Sequence, residues 1–342
     1  MNKLNNESFH ILPERLPPEI MGMSIAALHR KTGIHRDTIK RIRTGQPCRE
    51  SSYVELLESF GYSIGDFTSN PANLPPFAPI LLNDEWEAIE RPSPVKTAQN
   101  GLQYRIYKLK HRHLENHFGR GKRYDIAHLG IEERGEWIPK LERHAQTCLR
   151  IRHPRIPHHL GFFRTDQSSS VWWVVDAWTP GRLLSEILSG EDPVGYIPSL
   201  AAQIAEGLMA LHSAGIVRRD LSTDSILVGE GQVTLTEFEL AKLGQGAPTV
   251  SKNRPTNPYV APEVSDGEAK PQADLFSWAR VITHLLLGKL VPLSLVNSTL
   301  GNVQLPEDVR RVLVSSCEIL PSKRPASFAE IWPTIQKWAK GR

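Results

Sequence analysis

The chain has 342 residues, a formal net charge of +4 and 40% hydrophobic residues, which is enough for two domains with apolar cores. So small a net charge does not by itself indicate binding to nucleic acid or membrane. The three cysteines, Cys48, Cys148 and Cys317, are too scattered for a disulfide framework or a paired-cysteine metal site. No apolar run reaches the roughly 18 residues of a membrane span, and the N-terminus lacks the core of a signal peptide. We therefore expect a cytoplasmic protein without a membrane partner.

Residues 20–68 predict a small all-α domain. Ser24 can cap a helix over residues 25–31, Gly33 permits a tight turn, and His35 opens a second helix that ends at Arg43. The segment SIAALHRKTGIHRDTIKRIRTG resembles the helix-turn-helix of lambda-repressor-like DNA-binding domains. The later SSYVELLESFGYSIGDF resembles the last helix and tail of that family. One departure is a histidine, His29, where the family usually has alanine.

The resemblance implies that the second helix enters the major groove of DNA. Its outward side chains would then contact phosphates or base edges, and they are Arg36, Asp37, Thr38, Lys40 and Arg41. Residues 29–49 carry seven basic side chains against one acid, a local excess typical of DNA binding. One such domain usually binds weakly alone, so a homodimer is expected. The alternative is a helical domain that docks a protein.

Residues 69–84 are rich in proline and predict an extended linker. The remainder, residues 85–340, forms the larger predicted domain. Within it, GIVRRDLSTDSILV and TEFELAK read as a strand, a loop and a β-hairpin that can bring Asp220 and Glu237 into one cleft. Two carboxylates placed together could hold a metal ion or position a hydroxyl group.

These two segments resemble the catalytic core of protein kinases. NPYVAPEV, ADLFSWARVITHLLLG and CEILPSKRPASFAEI follow in the order in which that family has its later motifs. The resemblance implies an α+β, bilobed kinase fold behind the small all-α domain. Its small lobe would cover residues 85–178 and its large lobe residues 179–340.

A kinase small lobe needs a strand lysine that grips phosphate and pairs with a helix glutamate. In one placement the strand covers residues 104–109 and Lys108 is that lysine. In the other the strand covers residues 123–129, and His128 and His144 fall at the lysine and glutamate positions. We expect the second placement, in which the ion pair is lost because imidazole is mostly neutral near pH 7. The region also lacks the G-x-G-x-x-G loop that covers phosphates.

VWWVVDAWTPG, residues 171–181, resembles the hinge strand of the family. The resemblance implies Val175 as the gatekeeper and a backbone segment, Asp176, Ala177 and Trp178, that would bind the adenine of ATP. Magnesium would be held, if at all, through Glu237.

The catalytic motifs depart from the family at several positions. Asp220 matches the catalytic aspartate, but Arg218 stands where the family has a buried histidine and must find an acid partner. Ser222 replaces a lysine, Ser225 replaces the asparagine that binds magnesium, and Glu237 replaces the magnesium aspartate.

The residues that brace the large lobe are retained. Glu263 and Arg324 match a buried ion pair, and Asp274 matches the aspartate that accepts the backbone amides before Asp220. The sequence therefore predicts a catalytically impaired kinase homologue, a pseudokinase, that senses a nucleotide, a peptide or a partner kinase and is joined to a DNA-binding domain. The alternative is an active, ATP-dependent Ser/Thr kinase with a divergent phosphate grip and a protein-docking N-terminal domain.

Overall fold

The computed structural model describes residues 16–46, 48–60, 79–90, 92–93, 96–97, 103–126, 129–165, 170–188, 197–238, 242–243, 257–266 and 270–341. These residues fall into two compact units. The first runs to Thr97 and also includes Gln103–His117, and the second contains the described residues from Phe118 onward. Among the described residues, no helix is long and apolar enough to cross a membrane. The predicted boundaries at residues 68, 84 and 178 stay predictions.

The first unit begins with short helices: α1 (Pro18–Gly22), α2 (Ile25–Thr32), α3 (Arg36–Arg43) and α4 (Glu50–Glu58). Helix α2 starts at Ser24, whose side chain accepts a hydrogen bond from the Ala27 amide at 3.1 Å. It ends at Gly33, where a φ of 74° requires the left-handed conformation that glycine adopts without strain.

These helices pack around their own apolar cluster. Leu28 of α2, Ile39 and Ile42 of α3, and Tyr53 and Leu57 of α4 are all buried in it. The spacing of Ile39 and Ile42 places both on one face of α3, so the opposite face is left to polar side chains.

Two polar contacts fix the loops of this helical group. The Arg43 guanidinium donates to the carbonyl oxygens of Met21 and Met23 at 2.6 and 2.9 Å. The ring of His29 bonds through Nδ1 to the Ile34 carbonyl at 2.8 Å, across the turn between α2 and α3. His29, which stands where the helix-turn-helix family usually has alanine, thus stabilises the turn between α2 and α3.

The strands of the first unit are β1 (Ile80–Leu81), β2 (Trp86–Ala88), β3 (Lys96–Thr97) and β4 (Gln103–His111). β2 and β3 both pair antiparallel with β4, and β1 pairs antiparallel with β2.

The second unit opens with β5 (Phe118–Asp125), α5 (Ile131–Arg150), β6 (His159–Arg164) and β7 (Val171–Ala177). β7 lies between β5 and β6 and is antiparallel to both. In the β5–β7 register, Arg120 lies opposite Asp176 and Lys122 lies opposite Val174. Since side chains alternate along a strand, these four residues share one face of the sheet.

This arrangement corrects the expected small-lobe strand. The strand next to β7 begins at Phe118 and ends at Asp125, whereas the sequence predicted residues 123–129. Gly119 and Gly121 interrupt the β5 sequence, so it lacks the apolar alternation typical of strands. His128 lies outside the described residues.

Helices dominate the rest of the second unit. They are α6 (Leu184–Leu188), α7 (Ile197–Ser213), α8 (Pro271–Leu287), α9 (Val296–Leu300), α10 (Glu307–Ser316) and α11 (Phe328–Ala339). The short strand β8 (Arg182–Leu183) lies just before α6. Between α7 and α8 lie β9 (Ile216–Val217), β10 (Ile226–Gly229), β11 (Gln232–Leu235) and β12 (Lys242–Leu243). β10 pairs with β8 and β11, and β9 pairs with β12. The main apolar core lies among α7, α8, α10 and α11.

Candidate active site

The turn after β9 carries Asp220, and hydrogen bonds to helix α8 fix its backbone. Asp274 of α8 is fully buried, and its two carboxylate oxygens accept the backbone amides of Arg218 and Arg219 at 2.8 and 2.7 Å. His212 adds a third bond to the same carboxylate at 2.7 Å. These bonds hold Arg219 at a φ of 74°, a conformation that a non-glycine residue adopts only when its surroundings impose it.

Arg218 finds the acid partner that a buried guanidinium needs. Its Nε lies 3.8 Å from Oδ1 of Asp220, and another of its nitrogens donates to the Thr236 carbonyl. The guanidinium carbon lies 4.7 Å from the centre of the Phe238 ring. Arg218 therefore replaces a buried histidine through a cation–π contact and an ion pair, and it places a fixed positive charge beside the acid predicted to be catalytic.

Glu237 lies between two cations of β5. Its Oε1 is 2.9 Å from the Lys122 ammonium and 3.7 Å from the Arg120 guanidinium. The Lys122 side chain is 1% exposed and the Glu237 side chain 12%, so water screens this ion pair weakly. Glu237 also has a positive φ of 68°. A non-glycine residue adopts this backbone conformation only when its surroundings impose it, and here the Glu237 carboxylate lies against the two cations of β5.

The lysine beside Glu237 is therefore one that the sequence reasoning missed. Lys108, the alternative phosphate lysine, lies on β4 in the first unit, where its ammonium pairs with Glu90 at 2.6 Å. Lys122 was not predicted because its strand contains two glycines, Gly119 and Gly121, and lacks an apolar pattern. The sequence does contain one signal for this strand, because long polar or aromatic side chains recur at every second position in Arg120, Lys122 and Tyr124. In the structure all three are buried.

His144, predicted at the helix-glutamate position, lies on α5 and contacts Phe238 and Asp176. Its Nδ1 accepts the Phe238 amide at 3.0 Å, and its Nε2 lies 2.7 Å from Oδ2 of Asp176. His159 reaches the other oxygen of Asp176 at 3.0 Å. Burial opposes ionisation of Asp176, but the two histidines outweigh it and hold the pKa of this carboxyl far below its usual range.

The hinge segment differs from the expected adenine-binding strip. Val175 lies opposite Gly121, so its side chain points to the face away from Lys122, and Asp176 points toward it. The amide of Ala177 donates to the His158 carbonyl at 2.7 Å, and the amide of Trp178 donates to the Phe118 carbonyl at 3.0 Å. An adenine base could use these two amides only by displacing main-chain bonds.

The serines that replace a lysine and an asparagine bind each other. The Ser225 hydroxyl accepts the Ser222 amide at 3.1 Å and donates to the Ser222 carbonyl at 3.0 Å. Magnesium prefers several oxygen ligands held in octahedral geometry. Here the Ser225 hydroxyl is bound to Ser222, and the carboxylates of Asp220 and Glu237 each face a buried cation. As arranged, these residues do not fit a magnesium–triphosphate site.

The predicted brace of the large lobe is a two-point ion pair. The guanidinium of Arg324 contacts Glu263 through NH1–Oε1 at 2.6 Å and NH2–Oε2 at 3.0 Å. It also donates to the carbonyls of Glu318, Ile319 and Gln272 and covers the Phe276 ring. This buried charge is fully supplied with partners.

In the first unit, α3 carries the residues expected to contact DNA. All but one of them are exposed; the exception, Thr38, is half-buried, and the exposed set is Arg36, Asp37, Lys40 and Arg41. Arg43, on the same helix, is instead bound to the chain near α1. The exposed face of α3 therefore carries three basic side chains against one acid, and Arg43 does not belong to it.

A profile of the protein kinase domain matches residues 121–328, more than half of the chain. The chain belongs to the protein kinase family. It is 27% identical over 184 residues to the serine/threonine-protein kinase PknA of Mycobacterium tuberculosis, covering 52% of this chain and 43% of PknA. It is 27% identical over 219 residues to a probable serine/threonine-protein kinase, pknA2, of Bifidobacterium longum, covering 61% of this chain and 28% of pknA2.

A probable serine/threonine-protein kinase of Dictyostelium discoideum is 30% identical over 171 residues, covering 48% of this chain and 12% of the relative. The chain thus matches less than half the length of each of these three relatives. The kinase-domain match contains Lys122, Asp220, Glu237 and the brace residues, and the N-terminal helices lie outside it.

Proposed function

We propose that this chain is a catalytically impaired member of the protein kinase family, a cytoplasmic regulator that acts through binding and conformation. The observation that carries the proposal is the buried contact of Lys122 and Arg120 with Glu237. In an active site of this family the lysine and the acid act on the phosphates and the metal. Here they neutralise each other.

Ser222 and Ser225 reduce the expected catalytic power further. Removing one charge-stabilising group from an active site typically costs about 2.7–4 kcal/mol of barrier. Loss of the loop lysine at Ser222 and of the metal ligand at Ser225 would together cost roughly 5–8 kcal/mol, which slows the reaction by about 10⁴- to 10⁶-fold. From the roughly 1–100 turnovers per second of kinases, little phosphotransfer would remain.

A nucleotide titration with a phosphotransfer assay tests this proposal. A rise in melting temperature with millimolar ATP, with or without magnesium, reports nucleotide binding, because a ligand at about 100 times its dissociation constant adds roughly 2.7 kcal/mol of stability. We expect no transfer from labelled ATP. Transfer that Asp220→Asn abolishes would refute the proposal, since only a working site depends on that carboxylate.

The second candidate is an active Ser/Thr kinase, favoured by the presence of a lysine within 2.9 Å of Glu237. In that case ATP and magnesium would separate the pair, and Lys122 would bind phosphate. Lys122→Ala should then abolish transfer, and Lys108→Ala should leave it intact, because Lys108 is paired with Glu90 in the other unit. Equal effects of the two variants would exclude this candidate.

We also propose that the N-terminal helices bind DNA through α3, as a homodimer. The support is the exposed basic face formed by Arg36, Lys40 and Arg41, behind which Ile39 and Ile42 are buried. Binding should weaken steeply with salt, and the double variant Arg36→Ala/Arg41→Ala should reduce both affinity and the salt slope. Arg310→Ala/Arg311→Ala, on α10, removes the same charge away from α3 and serves as the control. If both variants bind equally, the domain docks a protein instead.

The two proposals together describe a DNA-binding regulator whose kinase-family domain receives a signal from a nucleotide, a peptide or a partner kinase. A comparison of DNA affinity in the presence and absence of ATP, or of a purified Ser/Thr kinase, tests the coupling. A change in affinity would support it, and unchanged affinity with a ligand that demonstrably binds would refute it.

A further inference from the structure

A chain of buried polar side chains connects β7 to the segment that carries Glu237. Asp176 lies between two histidines, with His144 Nε2 at 2.7 Å and His159 Nδ1 at 3.0 Å. His144 is fully buried, and its other ring nitrogen faces the amide of Phe238 at 3.0 Å. Phe238 directly follows Glu237, so this series of hydrogen bonds ends one residue from the contact between Glu237 and Lys122.

The direction of each hydrogen bond follows from the Phe238 amide. A main-chain N–H can only donate, so Nδ1 of His144 must be the acceptor and carries no proton. The proton of the neutral ring is then on Nε2, which donates it to Asp176. The ionised Asp176 accepts a hydrogen bond from each histidine, and hydrogen bonds to the charged form lower the pKa of a carboxyl. Every donor therefore has an acceptor.

We propose that Asp176 and His144 are positioning residues: Asp176 fixes the Nε2–H form of His144, and His144 holds the Phe238 amide so that Glu237 stays against Lys122. The side chain that controls the Glu237–Lys122 pair is thus a histidine on α5, directed by an acid on β7. The proposal holds whether or not the domain transfers phosphate, because it concerns the closed pair itself.

The same atoms could be taken for a metal site, and the proton positions argue against it. His144, Cys148 and Asp176 offer ligand atoms within 4.8 Å of one another, and all three are buried. Zinc would need the Nε2 lone pair of His144, whereas a ring that accepts the Phe238 amide on Nδ1 carries its proton on Nε2. The 2.7 Å separation between Nε2 and the carboxylate is also that of a charge-assisted hydrogen bond.

The test compares two substitutions of His144. Glutamine can reproduce both contacts, with its oxygen accepting the Phe238 amide and its NH₂ donating to Asp176, whereas leucine can make neither. Labelling of Lys122 by an amine-reactive probe reports release of Glu237, since Lys122 is otherwise buried. Hydrogen exchange of a peptide that contains Phe238 reports loss of the amide contact.

We expect His144→Leu to raise the Lys122 labelling rate and the Phe238 exchange rate about tenfold, because both follow the free energy of local opening. His144→Gln should stay within about twofold of the wild type on the same measure. His158→Leu, an exposed neighbour of His159, is the matched control and should change neither rate. Ile335→Ala, in the core at α11, controls for general destabilisation and should leave the ratio of Lys122 to Lys108 labelling unchanged.

Equal labelling in His144→Leu and His144→Gln would overturn the proposal. If His144→Leu does not fold, the wild-type protein still decides: a ¹⁵N spectrum of histidine rings must contain a buried ring with its proton on Nε2 only. A proton on Nδ1, or on both nitrogens, would overturn it. Stoichiometric zinc in the purified protein would also overturn it.

Discussion

Two buried ion pairs of the second unit serve different ends. Arg324 and Glu263 meet at two points, and backbone carbonyls take the remaining guanidinium protons. Lys122 and Glu237 meet through a single carboxylate oxygen, which also faces Arg120. The first pair closes a structural joint, and the second places three charged groups where the family has its chemistry. The two pairs show buried charges used once to brace the scaffold and once within the predicted active site.

The two ion pairs also differ in how completely their surroundings hold them in place. The backbone around Arg324 offers it a full set of acceptors, so the joint is stable as it stands. Glu237 has a left-handed backbone conformation and meets Lys122 through one carboxylate oxygen, so this pair is less completely braced than that of Arg324. The first two predictions below each alter one of these pairs, and the third concerns a histidine of α8.

The largest effect should come from Arg324→Ala. Removing one partner of a buried pair leaves the other charge without compensation, and we expect a loss of about 3–5 kcal/mol in the free energy of unfolding. Urea denaturation measures it. Arg310→Ala removes the same side chain from a pair with Glu307 that is largely open to water, and it should cost no more than about 0.5 kcal/mol. Similar losses in the two variants would mean that the Arg324 joint is not structural.

A smaller effect is expected for Lys122→Met. Methionine fills most of the volume, and Arg120 remains 3.7 Å from Glu237, so we expect a loss of about 1–3 kcal/mol. Adding Glu237→Gln should recover part of this loss, because the remaining carboxylate charge is then removed. Urea denaturation of the two single variants and the double variant gives the coupling energy. Strict additivity would show that the two groups do not interact.

The smallest effect concerns acid stability and a histidine of α8, His284. Burial, with Arg280 nearby, lowers the pKa of His284, which bonds to the Tyr259 hydroxyl at 2.6 Å. The unfolded chain binds a proton at His284 near pH 6.5 and the folded chain only at lower pH, so stability falls as pH decreases through this window.

His284→Gln should therefore lose less stability than the wild type between about pH 7.5 and 5.5. Urea denaturation at both values measures the difference. His153, whose pKa is lowered chiefly by burial, should account for part of the remaining loss. An unchanged pH dependence in His284→Gln would contradict the assignment.

The sequence predicted the helical part of the second unit well because its signals are local. Asp274, Glu263 and Arg324 stand in motifs that resemble those of protein kinases, and each makes the contact that the resemblance implied. The α2–Gly33–α3 turn was predictable for the same reason, since a cap residue and a glycine determine it.

The small-lobe cluster was harder to predict because its signals are not local. Lys122 follows Gly119 and Gly121, and its partner lies more than a hundred residues away on Glu237. Spacing placed His144 at the helix-glutamate position, but nothing in the sequence shows that it contacts Phe238 or that Asp176 turns its side chain toward α5. That direction depends on the β5–β7 register, which places Arg120 opposite Asp176.

Arg43 has a consequence for recognition. By binding the carbonyls of Met21 and Met23, it joins the end of α3 to the segment that follows α1. For the DNA binding proposed above, a helix anchored in this way would lose less conformational entropy on association. Under that proposal, substituting Arg43 would loosen the orientation of α3, whereas substituting Arg36 or Arg41 would remove only the proposed contacts.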